Sequence, residues 1–305
     1  MKTIYRLIGA IMCCGLSLAS ASANNDAVLT DLTSNAVDVH STAAVVNIPR
    51  TRQFVLKDGD RHYQVMIKLP KDYRNNITHH YPVIYMTDSM YSLQVVSGAT
   101  RFPMNSNLMQ QAILVAIGYQ RPSKGSASRI RDYTPSHDAS WKLPTGEAKR
   151  HVAYISQVVM PFVEKNYRVD SQQNTFVGNS LGGLMGAYIL LEQPKLFNYY
   201  VLGSPSLWFD NKQLLQQFAQ RFSQTPAISA KVFIGIGELE KPPYTDNHHM
   251  VADAQAFFKL LQSHPSAQSG DLALKLLLIP EADHSMAFPT TAIHGLTWLF
   301  KRNLS

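Results

Sequence analysis

The chain has 305 residues, 45% of them hydrophobic and 16% charged. That supplies one sizeable core and fits a single α/β domain. The formal charge is +7, but the basic residues are scattered rather than clustered, which leaves nucleic-acid binding without support. The same positive balance favours solubility and the approach of anionic small molecules.

Residues 1–23 read as a secretory signal peptide. Lys2 and Arg6 give a basic start, Leu7 to Leu18 an apolar run, and Ala21-Ser22-Ala23 a small-residue cleavage site. The segment is too short and wrongly flanked to be a stable membrane span. Both cysteines, Cys13 and Cys14, lie inside it, and Ile11-Met12 before Cys13 do not suit a lipoprotein signal. Cleavage after Ala23 would leave no cysteine and a charge of +5, since Lys2 and Arg6 depart with no acid. An exported chain without disulfides fits a bacterial periplasm or secreted space.

Residues 24–50 are rich in Ala, Asn, Ser, Thr and Val and read as a tail or linker, leaving 51–305 as the folded domain. Arg52–Lys57 and His62–Leu69 alternate apolar and polar residues around Asp58-Gly59-Asp60-Arg61, which predicts a β-hairpin. Pro82–Thr87 and Ala112–Ile117 are continuous apolar runs, the pattern of parallel strands buried on both faces. Gly118 to Glu147 reads as one long, basic loop of the kind that shapes substrate pockets. A helix follows over Lys149–Tyr167, interrupted by Pro161. Further strands are expected at Asn174–Val177, Tyr199–Leu202, Lys231–Ile236 and Leu272–Ile279, with helices at 183–193, 246–263 and 288–302. The alternation predicts an α/β fold: a mostly parallel, doubly wound sheet with an N-terminal antiparallel hairpin.

Gly178-Asn179-Ser180-Leu181-Gly182 fits the G-x-S-x-G elbow that presents a nucleophilic serine between strand and helix. A serine hydroxyl needs a base, and the base needs a third group to orient it, in the chain order serine, acid, histidine. His284 follows the last strand and precedes the last helix. By contrast, His294 falls within the final helix, and His248 and His249 at a helix start. Glu238 and Glu240 both follow the strand ending at Ile236, and spacing does not separate them; Asp283 is a third option. Oxyanion donors are expected from the backbone N–H of Leu181 and from the turn Asp88-Ser89-Met90, with Met90 as the choice.

The chain resembles the putative esterase family that includes esterase D and the enterobactin-type siderophore esterases, over roughly residues 52–303. The resemblance rests on Lys68–Tyr73, Tyr81–Asp88, Ile117-Gly118-Tyr119, Arg129–Pro135 and Gly203–Trp208, in order. It implies an α/β-hydrolase fold, no metal or organic cofactor, and ester hydrolysis through an acyl-serine. It also favours Glu240, since the family's Gly-x-x-acid pattern falls on Gly237–Glu240. Asp88-Ser89 stands where many members have Asp-Gly, so the second oxyanion donor departs from the family pattern.

The siderophore-esterase branch implies an anionic small-molecule ester as partner. Arg129 would then either meet substrate or pair with Asp132 to brace the loop, and Tyr119, Tyr133 and Trp208 would either line an aromatic acyl or catechol pocket or belong to the core. Acyl transfer from the same acyl-enzyme and a non-catalytic ligand binder are the alternatives; an oligopeptidase would need a gating domain for which the chain has no room.

Overall fold

The computed structural model describes residues 47–245 and 248–302. The expected leader, 1–23, and most of the expected tail, 24–50, lie outside the described residues. Strands β1 (Thr51–Asp58) and β2 (Arg61–Lys68) form the predicted hairpin, paired from Thr51↔Lys68 to Asp58↔Arg61. Gly59, at φ 58°, supplies the left-handed turn between them.

The chain then alternates: β3 (Tyr81–Met86), α1 (Ser89–Asn105), β4 (Ile113–Arg121), α2 (Gly125–Tyr133), α3 (Ala148–Tyr154), α4 (Met160–Asn166), β5 (Val169–Asn179) and α5 (Leu181–Glu192). It continues through β6 (Tyr199–Gly203), α6 (Phe209–Arg221), β7 (Ala230–Gly237), α7 (Met250–Gln262), α8 (Pro265–Ser269), β8 (Leu272–Ile279) and α9 (Ala287–Phe300). The sheet order is β1-β2-β4-β3-β5-β6-β7-β8, with β2 antiparallel to both neighbours and β3 to β8 parallel.

Side chains alternate across the sheet, so each central strand feeds two cores. Val83, Tyr85, Phe176, Tyr200 and Val232 join one face with α5, α6 and α7. Ile84, Met86, Val177, Val201 and Phe233 join the other, with Leu93 and Val96 of α1 and Phe288 and Leu296 of α9. Burial on both faces is what the unbroken apolar runs predicted. Each fully buried Val, Leu, Ile or Phe contributes about 2 kcal/mol relative to exposure.

Four local features differ from the sequence expectation. β4 runs on to Arg121 because β2 pairs with it as far as His62↔Arg121. What reads as one loop therefore holds the end of β4 and helix α2, whose single aliphatic large residue, Ile130, gives no apolar stripe. Instead Ser128 fixes this helix, accepting from the Gln120 N–H (2.9 Å) and donating to Asp132 (2.8 Å). α1 and α6 were not read at all; α1 carries Gly98 and Pro103, and α6 opens on three residues with left-handed backbone, Asp210 to Lys212. Around Pro161 the helix does not break: a π-helical turn, Ile155–Val159, joins α3 to α4 and relieves the clash of the proline ring with the preceding turn.

His151 of α3 is buried among the rings of Tyr63, Tyr133 and Tyr154, at 5.2–5.6 Å, and neither ring nitrogen has a hydrogen-bond partner among the described residues. Burial pushes its pKa below the usual value. The unfolded chain therefore takes up a proton first, so stability is complete above about pH 6.5 and is lost as pH falls below that. Between about pH 7.5 and pH 5.5 this residue should therefore lower the unfolding free energy. His151→Phe should remove that share of the slope in denaturant melts at the two pH values.

Candidate active site

Parallel strands in register bring their C-terminal ends to one edge: Asn179 is paired with Gly203, Gly203 with Gly235, and Gly237 with Ile279. The residues that follow these ends therefore converge, as expected for the binding edge of such a sheet. Strained backbone gathers there too. Asp88 after β3, Ser180 after β5, Ser204 after β6 and Glu281 after β8 all have positive φ without being glycine, between 38° and 59°. Such residues cost of order 1–3 kcal/mol each and persist only where their surroundings hold them.

Ser180 sits at the β5–α5 corner with φ 59° and ψ −118°. Its N–H donates to Gly203 O (2.9 Å) and its carbonyl accepts from Leu184 and Ser206 N–H. The glycines flanking it are a steric need. A Cβ on Gly182 would lie 2.4 Å from Thr87 Oγ1, and one on Gly178 would lie 2.3 Å from Gly182 O. Leu181 begins α5, so its N–H belongs to the first turn, where backbone donors have no intrahelical acceptor. Ser89 and Met90 open α1 in the same way. The Met90 side chain is exposed, so only its backbone fits the expected role.

Glu240 is 1% exposed. Its Oε1 accepts from the Ser204 hydroxyl (2.5 Å) and the Gly237 N–H (2.8 Å), while Oε2 lies 2.6 Å from His284 Nδ1. A carboxylate can only accept, so Nδ1 carries the hydrogen and Nε2 keeps a free lone pair. The two glutamates do not point the same way, because residues 237–240 turn, with the Glu240 N–H on Gly237 O (3.1 Å). Glu238 instead accepts from the Glu281 N–H (3.2 Å), and Asp283 accepts from Ser285 and Met286 N–H. His249 caps α7 by accepting from Ala252 N–H, and His294 lies within α9. The hydrogen bond that Ser180 Oγ makes is with Ser206 Oγ, at 3.2 Å.

Arg129 does not pair with Asp132. Its guanidinium donates to both carboxylate oxygens of Asp88 (2.7 and 3.3 Å) and to Asn179 O (3.2 Å), bracing the β3–α1 turn against the residue before Ser180. Asp132 is taken by Arg131, Ser128 and Tyr63. Tyr119 donates to Asp88 (2.5 Å); burial and that carboxylate hold its phenol protonated, well above the usual range. Tyr133 is core rather than pocket lining: it is 1% exposed, and its hydroxyl accepts from the Asp88 N–H.

An open cavity of about 640 Å³ lies beside the turn, lined by Asp88, Ser89, Met90, Tyr91, Tyr119 and Arg121 among others. Trp208 is not in that wall. Its ring is stacked between His248 (4.0 Å, 10°) and Trp141 (6.3 Å, 17°), two residues beyond Ser206. Among the described residues no group of three His, Cys, Asp or Glu side chains is arranged to hold a metal ion. Ser204 and Ser206 were missed as individual residues. Their position directly after β6, at the same edge as the elbow, was the available signal.

A strained serine at a strand–helix corner, a buried acid on a histidine, and this strand order define a serine hydrolase of the α/β-hydrolase fold. The chain belongs to the putative esterase family, whose model, described as "Putative esterase", matches residues 58–260, and it is a serine esterase. The ferri-bacillibactin esterase BesA of Bacillus subtilis (strain 168) is 28% identical over 218 residues, 66% of this chain and 74% of that protein. The crystal structure of the BES protein from Bacillus cereus superposes with a TM-score of 0.71 at 26% identity, covering 86% of this chain and 99% of that one. An IroE-like serine hydrolase from Shewanella oneidensis shares the fold at the same TM-score, 0.71, with 22% identity over 82% of this chain and 80% of its own.

Removing the guanidinium would leave Asp88, 7% exposed, without its countercharge. Arg129→Met should therefore lower the unfolding free energy by on the order of 3 kcal/mol. Adding Asp88→Asn should restore part of the loss, measured by urea melts of the single and double variants.

Proposed function

We propose that the chain hydrolyses carboxylic esters through an acyl-serine intermediate. Ser180 attacks the ester carbonyl, His284 Nε2 takes the hydroxyl proton and returns it to the leaving alcohol, and Glu240 orients the imidazole and supports its charge. Water, activated by the same imidazole, then releases the acid. The observation that carries this reading is the buried Glu240 carboxylate 2.6 Å from His284 Nδ1, which leaves Nε2 as the free base.

Ser180 Oγ makes no hydrogen bond with His284 among the described residues, so attack requires it to leave Ser206 and meet the imidazole when substrate binds. The Leu181 N–H and a first-turn N–H of α1, Ser89 or Met90, receive the oxyanion.

For substrate we favour a siderophore-type or other aryl ester. Two tyrosines and the cation Arg121 border the cavity, a chemistry suited to anionic aromatic groups, and the relative from Bacillus subtilis is a ferri-bacillibactin esterase. Residues 1–23 would direct the chain to the periplasm or outside the cell.

Ser180→Ala should reduce kcat on an aryl ester by about 10⁴-fold or more, and Glu240→Gln by about 10³-fold, with circular dichroism unchanged. A panel of aryl esters of increasing acyl length plus a tricatechol lactone ranks the substrates. Near-normal turnover by Ser180→Ala would overturn the reading.

A further inference from the structure

We propose that Ser204 is a positioning residue for the reaction, holding Glu240 so that only one of its oxygens is left for His284; the inference rests on the Ser180–His284–Glu240 reading above. Ser204 is fully buried, and its hydroxyl is 2.5 Å from Glu240 Oε1. Only one other group reaches that oxygen, the Gly237 N–H, and it comes from the same turn as Glu240 itself. Among the described residues, Ser204 is thus the one donor to Oε1 that comes from a different strand's end.

The backbone sharpens the point. Ser204 has φ 38°, a conformation in which glycine would be cheaper, and its N–H is fixed to Gly235 O at 2.7 Å. A hydroxyl kept at a strained position is most simply explained by the bond it makes. Two residues on, Ser206 is also buried, and its hydroxyl meets Ser180 Oγ at 3.2 Å while its N–H holds Ser180 O at 3.1 Å. The segment Ser204-Pro205-Ser206 therefore touches the acid at one end and the nucleophile at the other. β6 lies between β5, which carries the nucleophile, and β7, which leads to the acid, so the segment after it can meet both.

Without the hydroxyl, Oε1 keeps only the Gly237 N–H of its own turn, so the carboxylate loses its anchor to β6 and holds the imidazole less firmly. The test compares Ser204→Ala and Ser204→Gly with wild type, Ser180→Ala and Glu240→Gln on one aryl ester. If the hydroxyl positions Glu240, both Ser204 variants lose kcat by about ten-fold, with KM within about two-fold, because the side chain meets no substrate. Labelling of Ser180 by a fluorophosphonate should slow to a similar extent. If only the backbone matters, Ser204→Gly, which relieves the strain, keeps wild-type kcat and labelling rate, and the inference is overturned. Wild-type kinetics in both variants overturn it equally. Activity in Ser180→Ala would instead overturn the underlying reading, so the two failures are distinct. Melting temperatures of each variant show whether a loss of rate is a loss of fold.

Discussion

Glu240 sets the requirement that the rest of the site satisfies. A carboxylate taken out of water must recover hydrogen bonds on both oxygens or it destabilises the fold that buries it. Here the donors come from three separate places: the loop after β6, the turn after β7, and the loop after β8. None of these is local to Glu240 except the Gly237 N–H. The acid can be accommodated only when β6, β7 and β8 are in register, so forming the sheet and forming the charged half of the site are one event.

The other half depends on a buried ion pair. Arg129 spans the β3–α1 turn and the residue before Ser180, linking the two helix starts that offer backbone donors. Its charge is held on by the Asp88 carboxylate even though burial opposes it. The consequence for chemistry is pre-organisation: backbone donors aimed before substrate arrives need not reorganise when charge develops. Substrate contact was one of two roles open to this arginine from sequence, and its three hydrogen bonds show that the bracing role has been taken, with a different acid.

The strand–helix corner, the hairpin and the parallel strands were legible because each follows from local rules. Alternation, unbroken apolar runs and a Gly-x-Ser-x-Gly corner carry their own signal in a few consecutive residues. What was not legible depends on partners far along the chain. α2 has no apolar stripe and is held by Ser128 and Asp132, so no periodicity betrays it. Spacing did not separate Glu238 from Glu240, although the family pattern favoured Glu240, because the turn at 237–240 breaks the alternation assumed for an extended segment. Ser204 and Ser206 look like loop serines until the strand order brings acid and elbow to either side of them.

Around the rim, Trp141, Trp208 and His248 join three loops face to face. Stacked rings attract strongly along their normal but resist sliding in plane only weakly, unlike the directional hydrogen bonds beneath them. The molecule thus joins those loops by contacts that fix ring planes, while the groups beneath are fixed atom by atom through hydrogen bonds. Distances between those loops can therefore differ slightly while the reacting groups keep their places.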